Sequence, residues 1–123
     1  MRTPRPYRSG FEWRLATGPL AGLEYEPKDQ RLVYALVKVY TPDFVNKDRG
    51  VLIEAKGRFR GSDEARKYLA VREYNPDVDL RFVLLNPDVR AYPGARMTLA
   101  DWMVKHDFNW CTEDSIPQTW RVL

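Results

Sequence analysis

Short apolar stretches separated by turn-forming residues divide the chain into predicted strands. These strands are residues 23–26, 31–40, 51–56 and 80–85. The first two are rich in Val, Leu and Tyr and are separated by a turn-like Pro-Lys-Asp-Gln cluster. In the third, apolar and polar residues alternate, so Glu54 and Lys56 should lie on the same face of one strand.

Each of the predicted helices starts at a hydroxyl side chain that can accept hydrogen bonds from the first helical turn. These N-caps are Ser9, Ser62 and Thr98. Glu12 completes a capping box in the first helix, which should end before Gly18. The second helix should stop at Asn75, which precedes a proline, and the third should carry His106 on its last turn.

The predicted order of elements is helix, three strands, helix, strand, helix, which is typical of an α/β fold. With 123 residues the chain has room for one compact domain, residues 1–123, in which residues 1–7 form a flexible basic arm. Hydrophobic residues make up 44% and charged residues 30%, a composition that excludes a disordered chain. Because no apolar run suits a membrane span or a signal peptide, we expect a soluble, intracellular protein.

Positive charge is concentrated in two stretches, the N-terminal arm and residues 56–67. Twenty Lys and Arg residues against seventeen Asp and Glu residues give a formal net charge of only +3. Either stretch suits a polyanion, although a solvated surface is the more common role of such a cluster. The candidate phosphate contacts are Arg5, Arg8, Arg58, Arg60 and Lys67. Since Cys111 and His106 are the only cysteine and histidine, an internal disulfide and the usual zinc sites are excluded.

The strongest candidate for chemistry is a pair of acidic residues followed by a lysine. Asp43 follows the predicted strand at residues 31–40, while Glu54 and Lys56 lie on the next one. Two carboxylates can converge on a hard cation such as Mg²⁺, which prefers oxygen ligands. Lys56 lies about 7 Å along the strand from Glu54, where its ammonium can orient a water molecule or offset charge on a phosphate. The arrangement predicts metal-dependent hydrolysis of a phosphodiester.

Each of these residues also has a structural explanation. Asp43 follows a proline and can be a turn residue, as is predicted for the Pro-Asp pairs at 76–77 and 87–88. Glu54 and Lys56 can form a surface ion pair on an edge strand. Because the strand around them is apolar, we expect both to lie near the core, where unpaired charges are costly, and we favour a role in chemistry.

Several separated blocks of the chain, from Tyr7 almost to the C-terminus, agree in order with a known family. These blocks are Arg8-Ser9-Gly10-Phe11-Glu12, Glu24-Tyr25-Glu26, Tyr40-Thr41-Pro42-Asp43-Phe44, Glu54-Ala55-Lys56-Gly57, Tyr68-Leu69-Ala70-Val71-Arg72-Glu73, Lys105-His106, Ile116-Pro117 and Trp120. In them the chain resembles endonuclease I of bacteriophages, a family of Holliday-junction resolvases in the restriction-endonuclease-like superfamily. Their agreement is more specific than the carboxylate–lysine signature, which many unrelated nucleases share.

The resemblance implies a restriction-endonuclease-like core, a mixed sheet flanked by helices, in a homodimer that exchanges segments. It implies that Glu12, Asp43, Glu54 and Lys56 are the catalytic residues. Asp43 and Glu54, with the backbone carbonyl of Ala55, would bind one Mg²⁺ ion, for which Mn²⁺ can substitute, and Glu12 with Asp43 would bind a second. In the exchanged dimer, Glu12 would serve a site whose other residues belong to the partner chain. From the residues alone, Glu12 is equally well explained as part of the capping box.

These observations predict a structure-selective DNA endonuclease that resolves four-way junctions and other branched DNA in the host cytoplasm, without a membrane partner. One alternative is a general or sequence-selective DNA nickase of the same superfamily. Another is a junction-binding protein without catalysis, although a chain that keeps Asp43, Glu54 and Lys56 argues against it. His106 and the tryptophans are expected to pack in the protein rather than to contact DNA.

Overall fold

Three helices and four strands are present in the computed structural model, which describes residues 2–121. The helices are α1 (Gly10–Ala16), α2 (Ser62–Tyr74) and α3 (Leu99–Lys105), and the strands are β1 (Phe44–Asn46), β2 (Val51–Lys56), β3 (Asp79–Leu84) and β4 (Asn109–Thr112). Two 3-10 turns, Glu113–Ser115 and Gln118–Trp120, follow β4. The chain divides into two compact units between Lys38 and Val39.

The first unit contains α1, whose start and end agree with the prediction. The Ser9 side chain accepts a hydrogen bond of 3.1 Å from the backbone N–H of Glu12, which caps the helix. After the helix, a Cβ atom at Gly18 would lie 2.9 Å from the carbonyl oxygen of Arg14. The turn therefore needs glycine at this position, as the predicted helix end before Gly18 implied.

The second unit contains a four-stranded mixed sheet in the order β1-β2-β3-β4. β1 is antiparallel to β2, whereas β3 is parallel to both β2 and β4. Glu54 lies opposite Phe82 and Lys56 lies opposite Leu84. Since both of these β3 residues are buried, the register directs Glu54 and Lys56 to the face of the sheet that carries the core, as the alternation predicted.

The core of the second unit packs α2 and α3 against one face of the sheet. The β3 side chains on this face are fully or almost fully buried. One of them, Phe82, belongs to a cluster of aromatic rings whose other members come from the helices and loops. The rings of this cluster belong to Phe59, Tyr68, Phe82, Trp102 and Phe108. Most of them meet edge to face, with centroids 4.6–6.5 Å apart. This packing covers the core-facing side of β2 and restricts the side chains on that side.

The prediction of two strands is wrong. Residues 23–26 and 31–40 form no strand, and Val33 and Val37 within the second are fully exposed. Strand propensity reflects packing on a half-buried sheet, and these residues have no neighbouring strand among residues 2–121 to supply hydrogen bonds or packing. Two strands of the structure, β1 and β4, are missing from the predicted order of elements.

Smaller differences concern helix ends. α2 is capped by Gly61 rather than Ser62, which is the first helical residue, and it ends before Asn75 as predicted. α3 is capped by Thr98 as predicted, but it ends at Lys105, and His106 is the C-cap rather than a helical residue. The α/β class and a mixed sheet are confirmed. Within residues 2–121, every helix is too short or too polar to cross a lipid bilayer.

Candidate active site

Two hydrogen bonds connect Asp43 to the C-terminal part of β2, one to the Glu54 side chain and one to the Ala55 backbone. The backbone N–H of Asp43 donates to Oε1 of Glu54 at 3.2 Å, and the backbone N–H of Ala55 donates to Oδ2 of Asp43 at 3.0 Å. β1 begins at Phe44, which pairs with Ile53, so Ala55 lies beyond the last residue of the β1 ladder. Its N–H is therefore available to the Asp43 side chain, and the two carboxylates are held next to each other.

Glu54 is a buried carboxylate that accepts hydrogen bonds from several donors. The residue as a whole is only 6% exposed. Besides the Asp43 N–H, the Tyr40 hydroxyl donates a short hydrogen bond to Oε1, and the Tyr68 hydroxyl donates to Oε2 at 3.1 Å. These donors replace the water that a carboxylate loses on burial.

The two tyrosine hydroxyls remain protonated. Burial, followed by the hydrogen bond from Tyr40 to Glu54, raises the pKa of Tyr40 far above its ordinary value. Burial, followed by the negative charge of Glu54, raises the pKa of Tyr68 in the same direction. Both side chains are therefore donors at neutral pH, and Glu54 keeps acceptor capacity because only three donors occupy its two oxygens.

Lys56 lies on the same face of β2 as Glu54 and is partly enclosed. Its side chain is 14% exposed, and its ammonium lies 3.5 Å from Oε1 of Glu64 on α2. The ammonium also faces the rings of Phe59 and Tyr68, at 5.9 Å and 5.2 Å from their centroids. Burial acts to raise the pKa of Glu64, but the Arg60 backbone N–H and the Lys56 charge outweigh it and lower that pKa below its usual value.

Glu12 lies in the first unit, within its own set of hydrogen bonds. Oε2 accepts from the Tyr25 hydroxyl at 3.0 Å, and Oε1 accepts from the Arg8 N–H at 3.0 Å and from the Ser9 hydroxyl at 3.2 Å. The Tyr25 hydrogen bond is the main reason that the pKa of Glu12 is lowered. All of these contacts lie within the first unit, so the Glu12 carboxylate is oriented by residues of its own unit.

The carboxylate oxygens of the second unit are suitable ligands for a magnesium ion that keeps several of its water ligands. Mg²⁺ is commonly bound by one or two carboxylates, with waters and substrate phosphates as its remaining ligands. Asp43 and Glu54 supply two carboxylates, and Oδ1 of the exposed Asp43 makes no hydrogen bond to any residue from 2 to 121. The backbone of Ala55 lies outside the β1 ladder beside them. No group of three or more His, Cys, Asp or Glu side chains is gathered among the described residues.

The predicted phosphate contacts all lie on the surface. Arg5, Arg8, Arg58, Arg60 and Lys67 are each exposed. Arg8 is paired with Glu26 at 3.1 Å, and Arg60 with Glu64 at 3.0 Å. The Arg8–Glu26 pair is exposed and contributes little to stability, so an incoming phosphate can compete for the Arg8 guanidinium. In the Arg60–Glu64 pair only the guanidinium is exposed, since the Glu64 side chain is 10% exposed.

Sequence reasoning missed the tyrosines and the second glutamate around these carboxylates. Tyr40 and Tyr25 fall inside blocks that resemble the phage family, but nothing in the residue pattern assigns them a role. Tyr68 also begins such a block, and Glu64 lies four residues before it and therefore on the same face of α2. Their contacts with Glu54 and Lys56 depend on how α2 packs on the sheet.

His106 and three of the four tryptophans pack in the protein as expected, whereas Trp13 is only partly buried. Trp102 and Trp120 are buried, and the His106 ring lies 4.7 Å from the Trp102 ring. Cys111 is a buried thiol, and burial raises its pKa. None of these side chains contacts the carboxylates of Asp43 or Glu54 in the part of the chain that the structure describes.

Comparison with known proteins identifies the family of this chain. The family model "Phage endonuclease I" matches residues 1–122. The chain is 31% identical over 106 residues to "Endodeoxyribonuclease 1" of Enterobacteria phage T3, a match that covers 83% of this chain and 68% of the relative. It is 28% identical over 118 residues to "Endonuclease I" of Escherichia phage T7, with 93% of this chain and 77% of the relative covered. The chain therefore belongs to the phage endonuclease I family.

Proposed function

We propose that this protein is a Mg²⁺-dependent DNA endonuclease that resolves four-way junctions and other branched DNA. The observation that carries the proposal is the pair of adjacent carboxylates, Asp43 and Glu54, with the Lys56 ammonium on the same face of β2. The names of the relatives from phages T3 and T7 support endonuclease activity. As a member of a phage family, the protein would act in the host cytoplasm.

Asp43 and Glu54, with the carbonyl of Ala55, would hold one Mg²⁺ ion, and Glu12 would contribute with Asp43 to a second. Mn²⁺, another cation that suits carboxylate ligands, would substitute. When bound, such an ion would offset negative charge on the scissile phosphate and activate water for attack. The hydrogen bonds to Glu54 orient its carboxylate, with Oε1 at the Asp43 N–H and Oε2 at the Tyr68 hydroxyl.

Lys56 would act on the phosphate directly. Its ammonium can donate hydrogen bonds to a phosphate oxygen or to the attacking water, and its positive charge stabilises the negative charge that develops in the transition state. Because Lys56 is partly enclosed beside aromatic rings, this interaction takes place in a lower dielectric than that of water and is correspondingly stronger.

A homodimer would complete the enzyme. Residues 31–39 expose a run of apolar side chains, of which Leu32, Val33 and Val37 are 92%, 100% and 100% exposed. Burying each such side chain would contribute about 1.5–3 kcal/mol. On the face of the sheet away from the core, Phe44 is 62% exposed and borders an apolar groove of about 390 Å³. These surfaces support a dimer in which two chains exchange segments.

Exchange would also explain where Glu12 acts. In such a dimer, Glu12 of one chain would serve the site formed by Asp43, Glu54 and Lys56 of its partner. A twofold dimer has two equivalent sites, which matches a junction with two symmetric scissile phosphates. The exposed residues Arg5, Arg8, Arg58, Arg60 and Lys67 would contact phosphates rather than bases. Affinity would therefore fall steeply with salt, while sequence preference would stay weak.

A labelled four-way junction and a linear duplex of the same sequence, each incubated with the protein and Mg²⁺, test the proposal. We expect paired nicks near the branch point of the junction and little cleavage of the duplex. Equal cleavage of both substrates would indicate a general or sequence-selective nickase instead. Binding of the junction without cleavage would indicate a non-catalytic junction-binding protein.

A further inference from the structure

Two side chains on helix α2 contact Glu54 and Lys56 of the candidate active site. Glu64 and Tyr68 are one helical turn apart and lie on the same face of α2. Tyr68 is 1% exposed, and the Glu64 side chain is 10% exposed. Neither residue belongs to the set of carboxylates that would bind metal, yet each contacts a member of the cluster on β2.

Tyr68 contacts both Glu54 and Lys56. Its hydroxyl donates to Oε2 of Glu54 at 3.1 Å, and its ring centroid lies 5.2 Å from the Lys56 ammonium. The hydroxyl therefore limits rotation of the Glu54 carboxylate about its last bond, because Oε2 has a fixed donor while Oε1 faces the Asp43 N–H. The ring supplies one side of the space that the ammonium occupies.

Glu64 holds the Lys56 ammonium by charge. A lysine side chain has about 2 kcal/mol of rotamer entropy, so a free one would sample many positions. Here the Glu64 carboxylate lies 3.5 Å from Nζ of Lys56, in a place where both side chains are mostly enclosed. The separation is longer than a short hydrogen bond, so the attraction orients the ammonium while its N–H groups remain available to a phosphate.

Glu64 is itself held in place by the loop before α2. The backbone N–H of Arg60 donates to Oε1 of Glu64 at 3.1 Å, and the Arg60 guanidinium donates to Oε2 at 3.0 Å. The carboxylate is thus fixed by a backbone donor that does not depend on the exposed arginine side chain. Removing the charge of Glu64 would leave the Lys56 ammonium without its anionic neighbour.

We propose that Glu64 and Tyr68 are positioning residues that orient Lys56 and Glu54 for cleavage. This inference rests on the proposed endonuclease function. The hydroxyl of Tyr68 and the charge of Glu64 are separable from packing: Tyr68→Phe keeps the ring against Phe59 and Phe82, and Glu64→Gln keeps the shape of the side chain. Both variants should therefore fold while losing the orientation that each group provides.

The test is single-turnover cleavage of a four-way junction with Mg²⁺ and saturating protein. Tyr68→Phe and Glu64→Gln should each lower the cleavage rate constant about 10-fold to 100-fold, the usual effect of removing a residue that orients a site ligand. The affinity for the junction without metal should remain close to wild type. Both variants should be fully folded at the assay temperature, although Tyr68→Phe loses one hydrogen bond to the buried Glu54 carboxylate and should melt somewhat earlier. Matched controls on the same helix are Tyr74→Phe, which removes an exposed hydroxyl, and Asp63→Asn, which removes an exposed carboxylate.

The rate constant and the amplitude separate positioning from a structural role. If Glu64 and Tyr68 only stabilised the fold, their variants would melt earlier and a smaller fraction of protein would cleave, but the rate constant of that fraction would equal wild type. That result would overturn the proposal. A wild-type protein that does not cleave would instead overturn the proposed function.

A second measurement is independent of cleavage. The proton–nitrogen NMR signal of the Lys56 ammonium reports its surroundings in the metal-free protein. Glu64→Gln should shift or broaden this signal, whereas Asp63→Asn should leave it in place. An unchanged Lys56 signal in Glu64→Gln would contradict the role of Glu64 even if the wild-type protein proved inactive.

Discussion

Replacing Glu54 with glutamine is the most direct test of the candidate active site. The substitution removes one negative charge and keeps the size of a side chain that is 6% exposed. The Asp43 N–H can only donate, so the amide oxygen must occupy the Oε1 position, where it also accepts from Tyr40. The amide NH₂ then faces the Tyr68 hydroxyl, which can rotate and accept a hydrogen bond.

The expected change in stability is small because opposing effects nearly cancel. Hydrogen bonds to a charged acceptor contribute about 1.5–3 kcal/mol and those to a neutral one about 1 kcal/mol, so the variant loses hydrogen-bond energy. It also no longer buries a carboxylate, which is costly. We expect the free energy of unfolding of Glu54→Gln to lie within about 1–2 kcal/mol of wild type.

The expected change in cleavage is large. An amide is a much weaker ligand for Mg²⁺ than a carboxylate, and metal stabilisation of a developing charge is worth several kcal/mol. A loss of about 4 kcal/mol corresponds to a rate lower by a factor of about 1,000. Junction binding should persist, because the exposed arginines and Lys67 that would contact phosphates are unchanged.

The assay compares single-turnover nicking, junction binding and urea unfolding for wild type, Glu54→Gln and the control Glu73→Gln. Glu73 is an exposed carboxylate on α2, so its variant should behave as wild type. If Glu54→Gln folds, binds the junction and still nicks it within about 10-fold of wild type, the assignment of Glu54 as a metal ligand is refuted.

Complementation tests segment exchange: co-refolding the inactive Glu12→Gln and Lys56→Ala variants should restore nicking through one intact composite site per heterodimer, and mixtures that stay inactive would count against exchange. Hydrogen bonds from Arg81 lower the pKa of Asp79 below 3.8, so the stability advantage of wild type over Asp79→Asn should be complete well above pH 3.8 and should fade as pH falls through the folded-state pKa. Urea unfolding across pH checks this, and a pH-independent difference would contradict it. Phe82→Ala should reduce the free energy of unfolding by about 3–5 kcal/mol, because the ring is fully buried; a loss below about 1 kcal/mol would mean that the core repacks.

Much of the local structure could be predicted from the residues. The capping side chains Ser9 and Thr98 locate the starts of α1 and α3, because a hydroxyl that accepts from the first turn is a short-range interaction. The placement of Glu54 and Lys56 on one face of β2 follows from the two-residue period of a strand. The apolar residues around them correctly indicated that both lie close to the core.

Pairing of strands could not be predicted in the same way. Residues 31–40 have the composition of a strand, but no strand among residues 2–121 pairs with them. By contrast, β1 is only Phe44–Asn46 and forms because β2 lies beside it. A strand exists only when another backbone completes its hydrogen bonds, and that backbone is distant in sequence or belongs to another chain.

The sequence by itself determined which carboxylates and which lysine are candidates for chemistry and where its capped helices begin. Only the tertiary structure decided what surrounds those groups: the hydroxyls of Tyr40 and Tyr68 on Glu54, and Glu64 beside Lys56. The physical reason is how far apart in the sequence the interacting residues lie. Caps and strand periodicity act over a few residues, whereas the donors that make a buried charge tolerable come from elements brought together by packing of the core.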